Sequence, residues 1–199
     1  GKLHPEVLDA YITIGNATFE KQGEFAQEYF KKAHQIVKDL IMEAHKRNDT
    51  ETALNIYTKA LTINEKALEK LGDNVGFQLH EGQAQIFLER SERVKAREAF
   101  ERALKHKQKI HKNQDLEVAN WAQKVGSNFL SKGFSVEATL FLRKALEIYT
   151  KNEKGNEERI AEIYHQLGYA YYLKELYTDA IELYNNERTY RLKAKIGRA

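Results

Sequence analysis

The residue types that do catalytic chemistry occur in this sequence, but not at the spacings that catalysis requires. Cysteine is absent from all 199 residues. That excludes a thiolate nucleophile, a thiolate metal site and disulfides, and it fits a reducing compartment. Seven histidines are scattered along the chain. His106 and His111 are five apart, a spacing that puts them on different faces of a helix, so a shared metal is not expected. No phosphate-cradling glycine loop, no G-x-S-x-G and no His-Glu-x-x-His occurs. The carboxylate pair Glu157-Glu158 falls in the first turn of a helix, where it complements the helix dipole. The expectation is a protein that is not an enzyme and has no metal site and no cofactor.

Cationic residues are the next candidates. The net charge of +3 is too small to define a partner, so its distribution matters more. Arg102, Lys105, Lys107, Lys109 and Lys112 run without an intervening acid, joined by His106 and His111. A second cluster, Arg188, Arg191, Lys193, Lys195 and Arg198, closes the chain. Glu98, Glu101 and Glu117 flank the first run, and no aromatic is interleaved as single-strand binding would prefer. The run reads as a solvated convex face. Binding of nucleic acid or another polyanion is the alternative.

The elements that must carry these residues are helices. The chain is 42% hydrophobic and 31% charged with a single Pro, enough for a sizeable helical core. No apolar run of about 18 residues and no signal-peptide pattern is visible, so a cytoplasmic, non-membrane protein is expected. Small residues flank a large one in a recurring column: Ala26-x3-Phe30-x2-Ala33, Ala53-x3-Tyr57-x2-Ala60, Ala96-x3-Phe100-x2-Ala103, Ala138-x3-Leu142-x2-Ala145 and Ala180-x3-Tyr184-x2-Glu187. The successive steps are 27, 43, 42 and 42 residues. Small residues at these positions let neighbouring helices approach closely, with the large residue filling the space beside them.

The last copy is the fullest. Tyr164-x2-Leu167-Gly168-x2-Tyr171, followed by Ala180-x3-Tyr184, fills in order the pattern of the tetratricopeptide repeat (TPR). Tyr11-x2-Ile14-Gly15 and Val125-Gly126-x2-Phe129 match its first-helix half. The chain therefore resembles the TPR superfamily, and the long period is similar to kinesin light chain and LGN/Pins-type proteins. The opening His4-Pro5-Glu6-Val7 also looks like the start of a kinesin light chain repeat, although Pro suits any first helical turn. The resemblance implies an all-α, right-handed superhelical solenoid of antiparallel helix pairs. It is expected to be one array over residues 1–199, with an irregular N-terminal hairpin over 1–47 and regular repeats over 48–199. The repeats are placed at about 48–72, 77–112, 116–152 and 157–196.

The 27-residue step is the anomaly. With no Gly or Pro in Glu24–Arg47, one continuous helix is expected there, and the first helix of the second repeat is missing. Asn48-Asp49-Thr50 is expected to turn and cap the next helix, over 51–71, before Gly72-Asp-Asn-Val-Gly76 stops it and opens a loop. In the third repeat Ala84, rather than Gly82, falls in the close-packing slot. Trp121 is expected in the core. The first residue, Gly rather than Met, and the absence of a polar capping helix suggest a piece of a longer array. The unpaired hairpin and the uncapped last repeat are two surfaces through which a homodimer could form.

The resemblance also implies a concave groove lined by the first helices. Counted from the close-packing residues, its positions are Thr13, Asn16 and Glu20, then Gln78, Glu81 and Gln85. Asn120, Gln123, Lys124 and Ser127 follow in the fourth repeat, and His165, Gln166, Tyr169 and Tyr172 in the fifth. Asn16 and Lys124 alone suit a clamp for a C-terminal carboxylate, and they lie in distant repeats, so a chaperone-tail receptor is not expected. The implied function is a non-catalytic scaffold that binds a peptide or helix of a partner protein. A peptide-sensing regulator similar to bacterial Rap proteins is a third reading.

Overall fold

The computed structural model describes residues 5–19, 21, 23–63, 72–111 and 115–197. All regular structure among them is helical: α1 Pro5–Phe19, α2 Gly23–Lys46, α3 Thr50–Ala60, α4 Asp73–Glu89, α5 Arg93–His111, α6 Leu116–Ser131, α7 Ser135–Lys151, α8 Glu157–Tyr172 and α9 Tyr177–Ile196. The chain divides into two compact units, Gly1–Ile110 and His111–Ala199.

The small-residue column is the hinge of both. Ala26, Ala33, Ala53, Ala60, Ala96, Ala103, Ala138 and Ala145 are all fully buried. Opposite them sit residues with no Cβ. A methyl group on Gly15 would come within 2.5 Å of the Phe30 ring, one on Gly126 within 2.6 Å of Leu142, and one on Gly168 within 2.8 Å of Tyr184. All three are closer than non-bonded carbons can approach, so each pair of helices meets where a glycine backbone lies against a large side chain. Ala84 occupies the equivalent slot in α4, also fully buried. Gly82, two residues earlier, is small for another reason, because a Cβ there would run into the Tyr57 ring of α3.

The turns inside the helix pairs share one device. Asn48, Ser91, Gly133 and Glu175 each take positive φ, between 53° and 76°. The next residue then donates its amide to the carbonyl five residues back: Asp49 to Ala44 (2.9 Å), Glu92 to Phe87 (2.8 Å), Phe134 to Phe129 (2.9 Å) and Leu176 to Tyr171 (3.1 Å). This is the Schellman closure, which satisfies carbonyls that the helix end would otherwise leave bare. Only one of the four positions holds the glycine that this geometry favours. Asp49 then caps α3, accepting from the Thr52 amide (2.9 Å) and hydroxyl (2.6 Å). These bonds hold its carboxyl below the usual carboxylate range.

In the N-terminal unit α2 runs unbroken over 24 residues. Its first half pairs with α1, and its second half doubles back through the short 47–49 turn onto α3. The second half of α2 thus stands in for the first helix that the sequence lacks. Two boundaries need correction. The helix expected over 51–71 ends at Ala60, where the Leu61 amide closes on Tyr57 and the Thr62 hydroxyl folds back onto the Lys59 carbonyl. The carboxamide of Asn16 then captures the Thr62 carbonyl at 3.0 Å. The rest of that stretch, residues 64–71, lies outside the described residues. The loop expected over 72–76 is the first turn of α4, beginning after Gly72 at φ 103°. Gly76 lies in that turn because the His106 ring fills the space where its side chain would be.

The C-terminal unit is built on an aromatic stack. Phe129 and Phe141 lie parallel with centroids 5.7 Å apart, and Trp121 meets Phe141 edge-on at 6.3 Å. Trp121 is 8% exposed, a packing residue as expected. Contact between α7 and α8 then joins the two helix pairs of this unit.

Candidate functional site

A concavity lies within the N-terminal unit, along the second half of α2. It has a volume of about 630 Å3. Val37 and Ile41 of α2, Tyr57 of α3 and Leu79 of α4 form an apolar floor. His34, Lys38, Met42, His45 and Lys46 line it from α2, and Gln78 from α4. The α2 residues fall at steps of three and four and therefore share a face. Burial, with help from the Lys38 charge, holds His34 below the ordinary imidazole value. Its Nδ1 is buried and makes no hydrogen bond. Burial raises the Tyr57 hydroxyl, and the nearby Glu81 carboxylate raises it further.

Of the sequence-expected groove positions, Gln78 reaches this concavity. The α2 contribution was missed because no first helix was read in the second repeat. The signal that could have found it is the His34, Lys38, Ile41, His45 stripe, at steps of four, three and four. Thr13 and Gln85 are exposed, and Glu81 is half-buried. Asn16 is committed to the Thr62 carbonyl, and Glu20 lies outside the described residues.

The C-terminal unit brings the other positions together differently. Gln166 of α8 donates its Nε2 to Ser127 Oγ of α6 at 2.9 Å, and that hydroxyl donates to the Gln123 carbonyl at 2.9 Å. Asn120 accepts from the Tyr149 hydroxyl. Gln123, only 5% exposed, is a packing residue and offers nothing to a groove. His165 Nδ1 lies 2.9 Å from Glu187, which also accepts from Arg191 at 2.7 Å. Burial opposes ionisation of Glu187, but these partners outweigh it and leave its carboxyl below the usual range. Lys124, Tyr169 and Tyr172 remain exposed, with Tyr172 tilted against Tyr177 at 5.7 Å. Asn120, Ser127, His165 and Gln166 of this face are therefore engaged within the unit.

The basic run on α5 is broken up in the same way. Lys107 sits over the Phe77 ring at 5.1 Å, and Lys109 lies 3.8 Å from Asp73. Arg102 and Lys105 share a shallow depression with Glu98 and Glu101, and Lys112 lies outside the described residues. A histidine pair is a further feature that the sequence pattern does not reveal. His80 stacks on His106 at 5.7 Å, and His106 bonds to Asp73 at 2.9 Å. Burial, then the nearby His106 and Arg102, lowers His80 to about 4. Among the described residues no cluster of three or more His, Asp or Glu is placed to hold a metal ion. No described helix is long and apolar enough to cross a membrane.

No protein-family model matches the sequence, and no curated protein sequence matches it either. Solved structures do. The chain is similar to the nearly identical TPR-like repeats of a kinesin-light-chain-type protein from Podosopora anserina, with TM-score 0.60, 15% identity, and coverage of 96% of this chain and 98% of that one. It is similar to BtubC (BKLC) from P. vanneervenii, with TM-score 0.56, 18% identity, and 92% and 80% coverage. It is also similar to the apo form of RapI, with TM-score 0.52, 16% identity, and 94% and 71% coverage. At these identities the likeness is one of fold: all-α, of the TPR type.

Proposed function

For a chain of TPR-type fold, we propose a non-catalytic scaffold that holds a peptide or helix of a partner protein in a groove formed by its helix pairs. The observation that carries this reading is the apolar-floored groove of α2, α3 and α4. Concave apolar surface with a few polar groups at its rim is what a peptide anchor needs. The half-exposed Met42 adds a side chain that can repack around different anchors. Polyanion binding draws less support, because Lys107 and Lys109 are occupied by Phe77 and Asp73.

The test is to pan a random linear peptide display library against the protein. Soluble binders are then measured on two variants. Met42→Glu places a charge on the groove wall, and Glu98→Lys alters α5 away from it. Binders should weaken about tenfold or more, roughly 1.4 kcal/mol, with Met42→Glu and should be unaffected by Glu98→Lys. A set of binders indifferent to Met42→Glu would remove the groove from the function.

A further inference from the structure

We propose that the α2–α3–α4 groove takes an acidic amphipathic helix of a partner protein, its apolar stripe on the floor and its carboxylates against the basic rim. This deepens the groove reading above and rests on it. Two independent properties of the lining select this occupant, one electrostatic and one concerning backbone hydrogen bonds.

The rim is basic on one side only of the charge scale. Lys38 and Lys46 bring ammonium groups, and His34 and His45 bring imidazoles, whereas no carboxylate occurs among the described lining residues. The two acids in the second half of α2 are engaged elsewhere. Asp39 accepts from Gln35 at 3.1 Å, and Glu43 is paired with Arg47. Glu81 acts on Tyr57 but does not line the groove. An occupant with acids flanking an apolar stripe meets complementary charge, and one with lysines meets repulsion on entry.

The backbone argument separates a helix from an extended peptide. An extended chain brings unpaired amides and carbonyls at every residue, and a groove that binds it must answer them. Among the described lining residues Gln78 alone carries a carboxamide, and the ammonium groups of Lys38 and Lys46 can answer carbonyls but not amides. A helix satisfies its own backbone and asks only for apolar contact and charge at its edges. The dimensions agree. From His34 to Lys46 the α2 face runs about 18 Å, the length of a helix of about 12 residues at ~1.5 Å per residue.

The experiment uses four display libraries on a helical host. Each randomises apolar residues at i, i+3, i+4 and i+7. Three carry flanks fixed as Glu, Gln or Lys, and the fourth is Glu-flanked with a central Pro. Affinities are read by fluorescence anisotropy on the full chain. The Glu-flanked helical binders should be at least about tenfold tighter than the Gln- or Lys-flanked ones. Lys38→Glu, checked for an unchanged melting curve, should weaken them about tenfold and improve Lys-flanked binders. Equal binding by Gln or Lys flanks overturns the acidic part, and equal binding by the Pro host overturns the helical part. If random linear peptides bind in a Met42-dependent way but none of the helical libraries does, this inference fails and the groove reading survives. If neither binds there, both fail.

Discussion

The two compact units use the same small-residue hinge and end with surfaces of different character. In the C-terminal unit side chains at expected groove positions are engaged within the unit, Gln166 with Ser127 and Asn120 with the buried Tyr149. In the N-terminal unit one helix does the work of two, and a long face of α2 keeps an open apolar floor with Lys38 and Lys46 at its rim. The difference teaches that a regular repeat spends its polar residues on neighbouring repeats. The irregular one, lacking a helix, is left with surface to offer.

The largest expected effect tests how tightly the regular half is built. Phe141→Ala removes the ring shared by Phe129 and Trp121 and should cost about 3–5 kcal/mol in urea unfolding. Met42→Ala, on the groove wall at 53% exposure, should cost under about 1 kcal/mol. Similar losses at the two sites would erase the distinction between a packed and an open surface.

His80 gives a pH dependence to the N-terminal unit. Its folded value, about 4, lies below the ordinary 6.5, so the unfolded chain takes up the proton first as pH falls. This contribution to stability is therefore present above pH 6.5 and is lost between there and about 4, on the order of 3 kcal/mol. Urea unfolding at pH 7.5 and 4.5 should show a smaller acid loss in His80→Phe. An identical loss in the variant would place the sensitivity elsewhere.

Asn120→Ala should cost about 1–2 kcal/mol by orphaning the largely buried Tyr149 hydroxyl, with no more than about a threefold change in peptide binding. A larger binding effect would return the C-terminal face to the functional site. The smallest effect concerns a turn. Glu175 holds φ 61°, so Glu175→Gly should raise stability by about 0.5–1 kcal/mol, visible as a higher melting temperature. The same change at Gly133 is already made by the sequence, which makes that turn the internal reference.

The sequence by itself determined the helix pairs and their hinge. An alanine or glycine facing Phe30, Leu142 or Tyr184 is a local demand of close-packed helices, and it repeats in the amino-acid string at the period of the fold. It also determined the long α2, since nothing between Glu24 and Lys46 can stop a helix. Only the tertiary structure decided which polar residues were free. Asn16 and Gln166 have the residue type of groove ligands, yet a hydrogen bond to Thr62 in one case and to Ser127 in the other depends on distances across helices, which no spacing along one helix encodes. The end of α3 at Ala60 is of the same kind, set partly by a carbonyl captured 46 residues away. The groove itself was decided at that level too, because an open surface is defined by the helix that does not cover it.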